Sequence, residues 1–200
     1  MRARTIQIIM LGSILFAGCE EKTTNIDITN DDGKPVLALD YRDFDQAAST
    51  LVQSLLASGA LKKEGGGRYV VATGRVVNDT MQRIDTDQLM AKIEEEMLNS
   101  GQAVMTSAVG SGTDKLIHET RELRDSEEFD QSTIAARGTL IAPELTISGK
   151  IFQRNIRYDK KTQQVEYYFQ LKLSDAKSGL RFWQKEMIVG KRGSNKSVAW

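Results

Sequence analysis

Apolar positions along this chain follow two periods, and the change from one to the other outlines its architecture. Phe44, Ala47, Ala48, Leu51 and Leu55 recur at steps of three and four, with Val52 and Leu56 widening the stripe. That spacing places them on one face of a helix through the 50s. Asp43 stands where a residue can cap its start, and Gly59 where a helix ends. A second stripe of Leu89, Met90, Ile93 and Met97 follows a capping-box-like start over residues 85–88 and stops at Asn99-Ser100-Gly101. Between these helices lies the turn-forming stretch 64–68, with Gly65, Gly66 and Gly67. The β-rich run 69–77 then suits a strand buried on both faces near its start. Residues 103–107 predict a short second strand. Residues 114–137 read as a charged helical stretch containing His118, Leu123, Phe129 and Ile134. Its Glu119, Glu122, Glu127 and Glu128 sit near Arg121 and Arg124, which makes a solvated face.

From residue 145 onward the period becomes two. Residues 145–158 read as a long strand and 159–162 as a turn. In 165–173, Tyr167, Phe169, Leu171 and Leu173 share one side while Gln170 and Lys172 take the other. A turn over 174–179 leads to a third strand over 180–189, completing an antiparallel meander. Strand, helix, strand, helices and meander predict an α/β (α+β) sandwich: one mixed sheet with helices packed on it.

The N-terminus has a different character. Arg2 and Arg4 precede an apolar run from Ile6 to Ala17, followed by Gly18 and Cys19. A basic start, a short apolar core and small residues before a cleavage point form a secretory signal. The run of about 12 residues falls short of the roughly 20 that span a bilayer. The single cysteine of the chain, directly after Ala17-Gly18, points to a bacterial lipoprotein signal. Cleavage before Cys19 and acylation of its sulfur would anchor the chain to a membrane, since several acyl chains at one site hold stably where one does not. Glu20, rather than an aspartate, follows the cysteine and favours the outer membrane. The expected organisation is a signal peptide over 1–18, a lipidated cysteine and polar flexible tether over 19–40, and a globular α/β domain over 41–200. Fully extended, residues 20–40 reach about 70–75 Å, and as a coil nearer 25 Å.

Loss of the first eighteen residues takes Arg2 and Arg4 with it and turns a formal charge of +0 into −2, with 25 basic and 27 acidic residues left. Near-neutrality argues against nonspecific nucleic-acid binding. The remaining 182 residues suit one domain with a real core. With Cys19 consumed by lipid no disulfide is available, so that core must hold the exported fold alone. Pro35 and Pro143 are the only prolines, so no Pro-rich stalk is present.

Candidate chemistry is sparse. His118 is the sole histidine and sits among Glu and Arg, as a surface residue does. Gly65–Gly67 and the Gly110–Lys115 segment lack the spacing of a phosphate loop and read as turns. Asp31, Asp32 and Asp79 show no calcium-loop pattern. Glu127 and Glu128 are adjacent and do not converge on one substrate as a glycosidase pair must. Asn78-Asp79-Thr80 and Asn195-Lys196-Ser197 match the glycosylation acceptor pattern, for which a bacterial lipoprotein has no use. No catalytic residue, metal site or cofactor site is expected. Tyr167, Tyr168, Phe169, Phe182 and Trp183 make an aromatic-rich sheet region, where outward members such as Tyr168 or Trp183 could anchor a partner. The charged 109–131 region and the outward meander residues are the other plausible contact faces.

Four segments together resemble the LpoB-type lipoproteins that activate penicillin-binding proteins. They are Leu15-Phe16-Ala17-Gly18-Cys19, the stretch from Val71 to Thr80 before a capped helix, Ile147-Ser148-Gly149 opening the final sheet, and the stretch from Tyr167 through Trp183 to Glu186. The likeness spans roughly residues 38–193. It implies a non-enzymatic lipoprotein on the outer membrane, facing the periplasm, whose partner is a bifunctional class A penicillin-binding protein. There it would stimulate peptidoglycan synthesis and so affect cell shape. Related α/β domains occur in curli-secretion lipoproteins and in Tol-system periplasmic proteins, so a structural or assembly role in an envelope-spanning machine is the alternative.

Overall fold

Capping chemistry decides where the first helix begins. The computed structural model describes residues 25–28, 33 and 35–197, and its first helix, α1, runs Tyr41–Ser58. Asp40 is the cap: its carboxylate accepts from the Arg42 and Asp43 amides, and the Asp43 carboxylate accepts from the Asp40 amide at 2.8 Å. Two acids three residues apart satisfy each other's backbone donors. The expectation that Asp43 is the cap is therefore corrected by three residues; it is the reciprocal partner inside the helix. Gly59 ends α1 in the left-handed conformation at φ 76°, as its position predicts.

The remaining elements are β1 (Tyr69–Asp79), α2 (Thr86–Asn99), β2 (Ala103–Met105), α3 (Lys115–Glu122), β3 (Leu145–Arg157), β4 (Thr162–Asp175) and β5 (Arg181–Ser194). The strands form one sheet in the order β2-β1-β3-β4-β5. β1 is parallel to β2 and β3, and β3, β4 and β5 are antiparallel. This is the mixed sheet ending in a meander that the two periods predict. β1 buries Val71, Ala72 and Thr73 in succession, so both its faces are covered near its start. A bulge between Thr73 and Val76 then shifts its register against β3.

One face of the sheet carries the core. Val165, Tyr167, Phe169, Leu171 and Leu173 of β4 point toward the helices with Leu145, Ile147 and Ile151 of β3. Against them pack the α1 stripe and Leu89, Met90, Ile93 and Met97 of α2. Phe44 meets Phe169 edge-on, with centroids 5.9 Å apart and planes at 88°. Each such side chain stabilises the fold by about 1.5–3 kcal/mol on burial.

The helical reading of 114–137 is corrected. α3 stops at Glu122 and buries no residue, and beyond it lie only two short 3₁₀ turns, Leu123–Asp125 and Gln131–Thr133. Local side chains compete for the backbone here. Gln131 Nε2 donates to the carbonyls of Leu123, Ser126 and Phe129, and Asp130 accepts from the Ser132 amide. Without an apolar face against the core, nothing sustains a longer helix.

A buried polar latch joins the chain just before α1 to the β4–β5 edge of the sheet. Lys191 Nζ on β5 reaches Asp43 at 2.5 Å, Asp40 at 3.6 Å and the Ala38 carbonyl at 2.8 Å. Tyr167 donates its hydroxyl proton to the Leu37 carbonyl at 2.9 Å and accepts from Gln82 Nε2 at 2.6 Å. Gln82 Oε1 in turn accepts from the Leu39 amide. Leu37 is buried and meets Gly193 of β5. Residues 37–40, Leu-Ala-Leu-Asp, which the expected tether includes, thus lie against the body.

The latch generates two predictions. Lys191→Met leaves the Asp43 carboxylate buried beside only weak partners, which should cost about 3–5 kcal/mol in urea unfolding; an unchanged midpoint would refute the role given to this pair. Burial, aided by the Asp43 charge, pushes the Tyr167 phenol up to about 12. The folded value lies above the usual 10, so this contribution is complete below pH 10 and is lost as pH rises from 10 toward 12. Between about pH 9 and about pH 11.5, Tyr167→Phe should therefore lose less stability than the parent. Equal losses would assign the alkaline sensitivity to another group.

Candidate docking surfaces

Strand alternation that sends Tyr167 and Phe169 into the core sends their neighbours outward. The outward face of β3, β4 and β5 is uncovered by any element among the described residues. Register brings Phe152 opposite Tyr168, and their rings stack at 4.6 Å with planes 4° apart. Lys150 lies over the Phe152 ring at 5.6 Å and Arg154 over the Tyr168 ring at 5.4 Å. The result is a four-layer stack of cation, ring, ring and cation.

Its charges are matched locally. Lys150 pairs with Asp79 of β1 at 2.5 Å. The Tyr168 hydroxyl donates to Glu166 at 2.6 Å, and Gln164 donates to the other oxygen of the same carboxylate at 2.7 Å. These two hydrogen bonds, Tyr168 first, hold the Glu166 carboxyl below its ordinary range. Acceptance by Glu166 raises the Tyr168 phenol. The pair stays carboxylate and neutral phenol throughout physiological pH. Toward the start of β3, Lys150, Gln170, Lys172, Arg181 and Gln184 surround a shallow basic groove of about 310 Å³.

Tyr168 thus lies on the open face, as anticipated for a partner anchor. Trp183 does not. It is 9% exposed, opposite Leu173 on the core side. The register slips between Leu173 and Ser174, leaving Phe182 unpaired and 45% exposed in its place. The unbroken alternation of Trp183, Met187, Val189 and Lys191 along β5 turns the tryptophan inward, and the slip lies just beyond it.

The second surface is the arm between β2 and β3. Thr106 continues past β2 by donating to Val71 O at 2.9 Å, and Ser111 donates to Thr73 O at 2.8 Å. The Gly112 amide donates to Thr73 Oγ1. A Cβ at Gly110, which has φ 97°, would run into the Thr73 carbonyl oxygen. The glycines of 110–112 therefore permit close packing on β1, consistent with their reading as a turn. His118 is exposed and hydrogen-bonds Ala108 O through Nε2 at 2.7 Å. Glu127 and Glu128 are exposed on a loop. Among the described residues no three His, Cys, Asp or Glu side chains group to hold a metal, and no helix is long and apolar enough to cross a membrane. Gly65–Gly67 form an exposed turn at positive φ. Asn78 is engaged with Gln82 O and Thr80, and Asn195 with Lys160 O. Residues 1–18, Cys19, Asp31 and Asp32 lie outside the described residues.

Residues 43–189 match the family described as peptidoglycan-synthase activator LpoB. The chain belongs to the LpoB family. Among solved structures, the LpoB C-terminal domain from Salmonella enterica is 13% identical, with a TM-score of 0.42 over 74% of this chain and 98% of that one. LpoB from E. coli, solved by NMR, is 11% identical at a TM-score of 0.40, over 96% of this chain and 84% of that one. Lipoprotein GNA1162 from Neisseria meningitidis is 8% identical at 0.32, over 65% and 86%. With TM-scores below 0.5, none of these likenesses adds to the family match. Among curated proteins none matches. For an LpoB-family chain, an uncovered sheet face and the long β2–β3 arm are two surfaces open to a partner.

Removing the ring of Tyr168 tests how far the open face is structural. An aromatic pair contributes about 0.5–1.5 kcal/mol beyond its buried area. Tyr168→Ala should thus lower unfolding free energy by about 1–2 kcal/mol while leaving the far-ultraviolet circular dichroism spectrum unchanged. A loss of the folded spectrum would mean that the stack is part of the core.

Proposed function

We propose that this chain is an outer-membrane lipoprotein, acylated at Cys19 and facing the periplasm, that binds and activates a bifunctional class A penicillin-binding protein. The observation that carries this reading is the family match over residues 43–189, to a family of peptidoglycan-synthase activators. The lipoprotein signal ending at Cys19 supports the location. The protein acts by binding and performs no chemistry of its own. Activation follows if it binds the working conformation of the synthase more tightly than the idle one. A tenfold rise in synthesis rate requires only about 1.4 kcal/mol of that difference.

Two measurements test the reading. Purified protein added to a class A synthase should raise glycan polymerisation and crosslinking; an unaltered rate, together with no complex on pull-down, would overturn it. In cells, Cys19→Ser should move the protein from the outer-membrane fraction to the soluble periplasm, while the purified variant still stimulates the synthase in solution. Retention of Cys19→Ser in the outer membrane would remove the acyl anchor from the proposal.

A further inference from the structure

The arm between β2 and β3 has a construction that neither the fold nor the open sheet face requires. It spans the 39 residues between Met105 and Leu145, and connections much longer than about 15 residues are uncommon in compact domains unless they serve a function. Its helix buries nothing, and Ala108 is its one buried apolar side chain. It is nevertheless ordered by its own contacts. Arg121 donates to Ala136 O and Thr139 Oγ1, Arg124 donates to Ala135 O, and Gln131 ties three carbonyls together. A loop held in shape by itself has already met part of the entropic cost of binding.

The surface so held is apolar and negative together. Ile117, Leu123, Phe129, Ile134 and Ala135 line a groove of about 400 Å³. Leu116 is 63% exposed and Ile141 70% exposed on the same arm. Large exposed apolar side chains collected on one element mark contact surfaces. Residues 119–130 hold six acids against Arg121 and Arg124, a formal excess of four negative charges. Only one of the six, Asp125, has a cation within 4 Å, and that contact, with Arg137, is 3.9 Å and solvent-exposed. On the open sheet face, by contrast, Lys150 is paired with Asp79 and the Glu166 carboxylate takes hydrogen bonds from Tyr168 and Gln164. The negative field of the arm is left to act outward.

We propose that this arm is a docking element for a protein surface that carries positive charge around an apolar recess. Under the function proposed above, on which this inference rests, that surface belongs to the synthase. The charge excess speeds encounter, and the apolar side chains around Phe129 hold the complex once formed.

The test uses the full-length lipoprotein and a purified class A synthase in detergent, with binding followed by interferometry. The variants are Glu127→Lys combined with Glu128→Lys, and Phe129→Ser. All three positions are exposed, so thermal unfolding should be unchanged and serves as the check on folding. The double charge reversal should weaken binding at least about tenfold, mainly through slower association, and Phe129→Ser about tenfold through faster dissociation. Wild-type affinity should fall as salt rises from about 50 to about 300 mM. Folded variants that bind within about twofold of wild type overturn the arm as docking element and leave the proposed function standing. A wild-type protein that fails to bind the synthase overturns the proposed function and this inference with it. Sedimentation of the lipoprotein alone separates one further outcome: if the variants alter self-association but not synthase binding, the arm receives a second copy and the proposal is wrong.

Discussion

A single buried ion pair fixes how this domain is threaded. Lys191 sits on the last strand, Asp43 in the first turn of the first helix, and the Ala38 carbonyl in the segment leading into that helix. Against a well-packed apolar replacement, such a pair adds little net free energy, because both charges give up water. Its effect is on register. A one-residue slip of β5 would carry Lys191 to the open face and leave Asp43 without its cation. Only one alignment of β5 on β4 places Met187 and Val189 beside the core and Lys191 at the helix start. The Asp40 carboxyl shares the same arrangement: burial pushes it up, but Arg42, Lys191 and the Asp43 amide together bring it below its usual range. The start of α1, the end of β5 and the entering chain are consequently one structure.

Much of this fold was legible from spacing. Phe44 to Leu55, Leu89 to Met97 and Tyr167 to Leu173 all bury the side chains their periods select, because each element has one face in the core and one outside. What spacing did not reveal is pairwise. Nothing in the sequence tells that Lys191 on a strand is inward, since a lysine in an alternating run looks like any solvated one. Nor does it tell that Asp40, rather than Asp43, caps α1, because a reciprocal pair offers either acid for the role. The four-layer stack of Lys150, Phe152, Tyr168 and Arg154 is half visible, as alternate residues on β3, but its other half depends on the β3–β4 register. The 114–137 stretch departs from a continuous helix because periodicity carries no sign of competing hydrogen bonds such as those of Gln131 and Asp130. Trp183 is inward because it shares the alternation of Met187, Val189 and Lys191, in unbroken register with β4 as far as Leu173.

The two candidate docking surfaces are explicable on the same terms. A synthase activator needs a shape that discriminates between two conformations of its partner, and rigid elements do that better than loose ones. The open sheet face is stiffened by cross-strand stacking, and the arm by side chains that close on their own backbone. Both lie where the core does not need them, which leaves their outer residues free to vary with the partner. That is the economy of a fold with only one face of its sheet covered.

The latch also determines how the domain carries load. Were Cys19 acylated as proposed, a pull on the chain from the membrane would be met at residues 37 and 38. It is resisted there by a tyrosine hydroxyl and a lysine ammonium gripping two consecutive carbonyls, both rooted in strands, β4 and the edge strand β5, rather than in a loop. Helix α1 begins just behind that grip and is shielded from the strain. The basic groove lies near Lys172, about 24 Å along β4 from the Val165 position that pairs with Lys191, at the usual rise per residue of a strand. A pull entering there is thus taken up at one end of the β4–β5 pair, well separated along the strand from the groove.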